Sequence, residues 1–266
     1  MIYIEPQAGL CNRMRAIESA YQIAKEMNKK LCIVWCCNVD CMAKFSDLFE
    51  DIPDVEVIEI PALFGIRTTV RYQRLRIKHI MQRCIAVEKL ERCDGNEEVV
   101  RRFVAQGTVY VQSFGVWYPY EKNLGFFRPV AEIEKMISFK KSEFGNECIG
   151  VHIRRTDNVK SITESGTDVF IERMQAEIDR NPNVTFFLAS DAQHEKDTII
   201  NLFGKRIKWN EDSELKRTSK EGMRIAVKDL FLLASCDKII GSAGSSYSEM
   251  AAEIGNVECC VVRKEK

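Results

Sequence analysis

Cys148-Ile149-Gly150-Val151-His152-Ile153-Arg154-Arg155-Thr156-Asp157 opens with six residues that are apolar except for His152 and ends abruptly in two cations, a hydroxyl and an acid. A short apolar run with polar residues at its end has the length and composition of a buried strand. Beyond it the hydrophobic period changes repeatedly. Helical spacing covers Val169 to Arg180, strand patterns Val184 to Ala189, helical spacing His194 to Phe203, and a strand is expected near Ile207 to Trp209. The helix Gly222 to Ser235, strand Lys238 to Gly241, helix Ser246 to Ile254 and strand Val257 to Val262 follow. Strands alternating with helices predict an open, parallel, doubly wound sheet.

The beginning of the chain has the same grammar. Ile2 to Glu5 reads as a strand, Gln7-Ala8-Gly9-Leu10-Cys11 as a loop, and Leu31 to Trp35 as the next strand. Between them Met14, Ile17, Ala20, Tyr21, Ala24 and Met27 recur at three- and four-residue steps, so a helix is expected with Asn12 capping its start. A strand is expected at Val55 to Ile60 and helices up to Phe103. Pro129 and Gly145 punctuate the middle, which predicts two α/β domains, 1–140 and 141–266.

With 39 basic and 39 acidic side chains the net charge is zero, so no global field recruits nucleic acid. The hydrophobic fraction of 45% is ample for ordinary cores. The N-terminus carries no basic leader with an apolar core, and no run approaches the roughly 20 apolar residues of a membrane span, so a cytoplasmic location is expected. Eleven cysteines, an odd number partly inside strands, fit a reducing compartment. Cys32, Cys36, Cys37 and Cys41 lack the paired spacing of a zinc site, and no metal is expected there. Residues 67–83 hold Arg67, Arg71, Arg74, Arg76, Lys78 and Arg83 without one acid. They read either as a solvated helix face or as a surface for an anionic or membrane-linked acceptor.

In open parallel sheets ligands bind beyond the carboxyl ends of the strands. After the first strand, Gly9 and the helix N-terminus beyond it suit a phosphate, or form a plain turn. At the end of the strand quoted above, Arg154 is placed to grip a diphosphate, while Arg155 and Asp157 are expected to pair structurally. His152 alternates with Val151 and Ile153 and so faces the ligand or packs neutrally. Asp191 follows an apolar strand and either meets a sugar hydroxyl or caps the next helix. The loop Gly241-Ser242-Ala243-Gly244-Ser245-Ser246-Tyr247-Ser248 offers amides, hydroxyls and a helix start to a phosphate. Asp229 stands in an otherwise apolar helix segment, where a carboxylate needs donors; the two adjacent N–H groups of guanine would serve, as would a salt bridge.

His152-Ile153-Arg154-Arg155-Thr156-Asp157 resembles the His-x-Arg-Arg-Thr-Asp motif of the α-1,6 members of the GDP-fucose-dependent fucosyltransferase superfamily. That superfamily also holds α-1,2-fucosyltransferases and protein O-fucosyltransferases. Gly9-Leu10-Cys11-Asn12 is similar to its Gly-x-x-Asn loop, and Ser245-Ser246-Tyr247-Ser248 to its donor loop. The resemblance implies a GT-B-like fold of two Rossmann-like domains with a donor cleft between them. It implies an inverting, metal-independent transfer of fucose from GDP-fucose to a glycan, without a cofactor, in bacterial polysaccharide biosynthesis. By resemblance Arg154 carries the diphosphate, His152 and Asp229 the guanine, and Ser245, Ser246 and Tyr247 the phosphates, with Asn12 contributing from the other domain. Asn158 replaces a family Lys, and Glu249-Met250 an aromatic pair, so the acceptor linkage is left unassigned. Glu164 and Asp157 stand as candidates for the base. The rival readings are another nucleotide sugar on the same fold, or a non-catalytic nucleotide-binding protein.

Overall fold

The computed structural model describes residues 1–63, 65–91, 96–120, 124–156, 158–211 and 216–264. It divides into two compact units, residues 1–130 with 216–224, and residues 131–215 with 225–266. Each holds one five-stranded, all-parallel sheet, which is the α/β class expected from the alternation of periods.

In the first unit the order of elements is β1 (Ile2–Pro6), α1 (Leu10–Glu26), β2 (Leu31–Cys36), β3 (Val55–Ile60), α2 (Ile66–Met81), β4 (Ala86–Lys89), α3 (Glu97–Ala105) and β5 (Val109–Ser113). The strands lie side by side as β3-β2-β1-β5-β4. β2 is buried along its whole length, as a strand covered on both faces must be. Met14, Ile17 and Ala20 of α1 are completely buried, and Ala24 nearly so. α2 lays Tyr72, Ile77, Ile80 and Met81 against Val34, Cys36, Ile60 and Tyr110.

The start of α1 corrects one expectation. Its N-cap is Gly9 and Asn12 is already the third helical residue, so Asn12 caps nothing. The reason is Arg13, a fully buried cation invisible to periodicity. Its Nε donates to the Ala8 carbonyl at 2.8 Å, Nη1 to the Cys36 carbonyl at 2.8 Å and Nη2 to Asn38 Oδ1 at 2.9 Å. Its guanidinium also lies 4.8 Å from the centre of the Trp35 ring. These bonds tie the loop to the end of β2, with Ala8 at φ 63°, and the helix begins three residues earlier than a cap at Asn12 would place it.

In the second unit the elements are α4 (Ala131–Lys141), β6 (Cys148–Ile153), α5 (Val159–Glu164), α6 (Thr167–Arg180), β7 (Thr185–Ser190), α7 (Gln193–Phe203), β8 (Ile207–Trp209), α8 (Lys220–Ala234), β9 (Lys238–Ser242), α9 (Ser246–Gly255) and β10 (Glu258–Val262). The first five residues of α8 belong to the first unit. The sheet runs β10-β9-β6-β7-β8, the order of a Rossmann-type half-sheet with its switch point between β6 and β9. Every residue of β6 is buried. Ile149, Val151 and Ile153 pack with Phe170, Met174 and Ile199, each such side chain contributing about 1.5–3 kcal/mol by leaving water. The alternate residues face the other way, where a Cβ on Gly150 would lie 3.0 Å from Leu233 of α8. Gly241 serves the same end on β9, since a Cβ there would come within 2.6 Å of the Ser248 hydroxyl of α9.

The ten described cysteines are free thiols. Burial pushes the Cys32 and Cys36 thiols up to about 12 and Cys37 to about 11. Among the described residues no helix is long and apolar enough to cross a membrane.

Candidate active site

Four strands of the second sheet deliver polar residues to one edge. β6 ends in His152, Arg154 and Arg155, β7 in Asp191, β8 in Asn210, and β9 in the loop 242–247. β6 and β9 are hydrogen-bonded neighbours, with His152 opposite Gly241, so the first and last of these groups meet at the switch point. The Ser242 hydroxyl joins them, accepting the Arg154 N–H at 3.0 Å and donating to the His152 carbonyl at 3.2 Å.

His152 is 5% exposed. Its Nδ1 lies 3.4 Å from Ser245 Oγ and its ring 4.7 Å from that of Tyr247. Burial, reinforced by the Arg154 charge and opposed by Asp191, pulls its pKa down to about 4. The imidazole is therefore neutral at pH 7, able to donate one hydrogen bond and accept another, and too weak a base to take a sugar proton.

The two arginines are held differently. Arg155 donates from Nε to Glu195 at 2.9 Å, from Nη1 to the Arg154 carbonyl at 3.0 Å and from Nη2 to Thr167 at 3.3 Å, with Phe170 beneath it. Those three bonds hold it as a structural group. Its carboxylate partner here is Glu195, and the expected partner Asp157 lies outside the described residues. Arg154 keeps a side chain 20% exposed at the sheet edge, with Nε 4.0 Å from Asp191 Oδ2.

Asp191 accepts the Arg155 N–H at 2.7 Å on Oδ1, and the Thr156 N–H at 3.3 Å and hydroxyl at 2.7 Å on Oδ2. It therefore fastens the turn that carries Arg154. The expectation that it caps the following helix fails: the N-cap of α7 is Ala192, which makes no side-chain cap bond. The loop amides and hydroxyl of residues 155 and 156 engage both carboxylate oxygens instead.

The loop after β9 is braced from α5 and beyond. Ser161 Oγ donates to the Ala243 carbonyl at 2.8 Å, Asn158 Nδ2 to the Gly244 carbonyl at 2.8 Å, and the Ala243 N–H to Ser165 Oγ at 2.8 Å. Gly244 sits at φ 67°, a left-handed turn that brings the chain into α9. Ser245 is the N-cap of α9 without a side-chain cap bond, its hydroxyl lying instead beside His152. The first-turn N–H groups of this helix point out of it, as they do at any helix start, and offer a positive site to an anion. The Tyr247 hydroxyl donates to the Ala226 carbonyl at 2.5 Å, tying α9 to α8 one turn ahead of Asp229.

Asp229 is 7% exposed and receives the side-chain amide of Asn210, itself 5% exposed. Asn210 escaped sequence reading although it follows β8 directly, where strand ends deserve inspection. Glu195, Thr167, Ser161 and Ser165 escaped too, because their roles depend on partners distant in sequence.

Glu164 ends α5 with its carbonyl accepting the Lys264 N–H at 2.7 Å and its carboxylate 3.6 Å from Arg263 Nε. These partners follow β10, and no described hydrogen bond joins Glu164 to the His152 and Tyr247 cluster. In the first unit Gly9 has an extended backbone and open space where a Cβ would stand, and Asn12 is half-buried one turn into α1. Among the described residues no group of three His, Cys, Asp or Glu side chains is placed to hold a metal ion.

Paired parallel α/β sheets with polar strand ends at a switch point place the chain in the GT-B fold class shared by known fucosyltransferases. NodZ α-1,6-fucosyltransferase from Bradyrhizobium, solved with GDP-fucose, matches with a TM-score of 0.61 over 95% of this chain and 92% of its own, at 20% identity. Arabidopsis thaliana FUT1 with GDP matches at 0.69 over 100% and 71%, at 14% identity. POFUT1 with GDP-fucose matches at 0.61 over 98% and 97%, at 11% identity. The chain matches no protein-family model and no curated protein sequence.

Proposed function

We propose that the protein is an inverting glycosyltransferase that moves fucose from GDP-fucose to a glycan hydroxyl. The observation that carries this reading is the switch-point cluster: half-buried Arg154, neutral His152 and the braced loop 242–247 on adjoining strands. The fold relatives crystallised with GDP or GDP-fucose support the choice of donor.

In the proposed reaction an acceptor hydroxyl oxygen attacks the anomeric carbon as the bond to the β-phosphate oxygen breaks. The electron pair leaves on GDP, and the hydroxyl proton passes to a carboxylate or to water. Arg154 and the first-turn amides of α9 offset the charge growing on the leaving diphosphate, a type of contact worth about 100- to 1000-fold in rate. Asp229, presented by Asn210, and His152 read the guanine edge. One displacement inverts the carbon. Glu164 and Asp157 are the carboxylates proposed as base, and the sequence, which has no Asp-x-Asp pair, is read as metal-independent. The setting proposed with it is cytoplasmic and bacterial, in surface-polysaccharide assembly, where an anionic or membrane-linked acceptor would meet segment 67–83.

Thermal-shift titration with GDP, UDP and ADP, with and without magnesium, tests the donor, because binding raises stability by an amount set by affinity. GDP-selective, magnesium-independent stabilisation that disappears in Arg154→Ala is expected. A UDP preference or no response overturns the donor, and GDP-fucose binding with neither transfer nor hydrolysis overturns catalysis.

A further inference from the structure

The outward face of α2 mixes charge and oil in a way that a merely solvated helix does not need. The 3.6-residue period puts Arg67, Arg71, Arg74 and Lys78 on one stripe, and all four are exposed. Ile66 and Val70 border the stripe on one side and Leu75 on the other, exposed by 80%, 40% and 56%. Together these seven side chains line an open groove of about 530 Å³. Among the described residues no carboxylate is paired with the four cations.

We propose that this face of α2 docks on an anionic phospholipid surface, with the cations at the phosphates and Ile66, Val70 and Leu75 entering the boundary with the acyl chains. Charge complementarity selects an anionic partner, since a neutral chain has gathered a stripe of cations with no acid among residues 66–81. The bordering side chains select lipid over nucleic acid. They are aliphatic, Tyr72 packs inward, and none of the seven side chains that line the groove carries an aromatic ring for a base to stack on. The inference concerns the first unit alone and stands independently of the donor reading.

Co-sedimentation of the full-length protein with phosphatidylcholine vesicles, with and without phosphatidylglycerol, tests it. Binding to the anionic vesicles only, weakening with salt, is expected. Each cation near such a surface contributes about fivefold in affinity, so Arg71→Gln with Arg74→Gln should weaken binding roughly 25-fold. Ile66→Ser with Leu75→Ser should leave low-salt binding but abolish what survives at high salt. Circular dichroism and urea unfolding check that the variants are folded. No binding to anionic vesicles, equal binding to both kinds, insensitivity to the arginine changes, or tighter binding to a single-stranded oligonucleotide would each overturn the proposal.

Discussion

Ser242 and Arg154 stand 88 residues apart in the chain, yet the Ser242 hydroxyl accepts the Arg154 backbone N–H at 3.0 Å. That bond crosses from the end of β9 to the residue after β6 and fixes the direction in which the Arg154 side chain leaves the sheet. Ser242→Ala removes both this bond and the one the hydroxyl donates to the His152 carbonyl, and should cost about 1 to 3 kcal/mol of stability. It should also weaken GDP several-fold. Urea unfolding and GDP titration measure the two effects, and unchanged GDP affinity would mean that Arg154 is aimed by other contacts.

Arg154→Lys keeps a charge but loses the planar fork that grips two phosphate oxygens. On the proposed mechanism Arg154→Ala should lower kcat by about 100- to 1000-fold, and Lys should recover only part of that. Steady-state transfer from GDP-fucose decides it. Full activity in the Lys variant would reduce the role of Arg154 to a point charge.

Gly244 faces two separate obstacles to a side chain. Its φ is 67°, and a Cβ would stand 3.1 Å from Cδ of Lys160. Gly244→Ala should cost about 1 to 2 kcal/mol through the backbone alone, and GDP binding should fall with it. Adding Lys160→Ala should restore only the contact part, so chemical denaturation of the double variant should show incomplete recovery.

His152 is neutral in the folded protein down to about pH 4, whereas an unfolded histidine takes a proton near 6.5. Between those values the unfolded chain binds the extra proton, so stability falls as the pH drops from 6.5 towards 4 and is constant above that window. The loss attributable to this residue amounts to about 3 kcal/mol at the acid end. Urea midpoints measured from pH 4.5 to 7.5 should slope for the wild type and flatten in His152→Gln.

Asp229 is proposed to read guanine through two N–H donors, one of them the 2-amino group that inosine lacks. The wild type should then bind GDP about tenfold more tightly than IDP, and Asp229→Asn should bring the two affinities together. Calorimetric titrations give the ratio directly. A preference surviving in the Asn variant would assign Asp229 to holding Asn210 and nothing more.

Much of this architecture was legible before any coordinates. The apolar runs at 148–153 and 184–189 and the helical spacing between them are local periodicities, and each became a strand or helix within a few residues of its expected bounds. The same holds for the edge where the polar strand ends gather, because in a parallel sheet it follows from strand direction alone. Arg154 and the small-residue loop after β9 stand at that edge. The failures share one cause. Asn12 looked like a cap because its side chain can serve as one, but the helix start was set by Arg13 bonding to residues on both sides of α1.

The sequence by itself determined the two alternating halves, the strand ends that carry polar residues, and the absence of a net field. Only the tertiary structure decided which of those polar groups are held and which stand exposed. Arg155 finds Glu195 from 40 residues away and Asn210 finds Asp229 across 19, while the burial of His152 depends on Tyr247 and the strands beside it. A pattern along the chain reports the period of the backbone and which face is apolar. The partner of a buried charge is chosen by strand order and helix packing, which join residues that no local period connects.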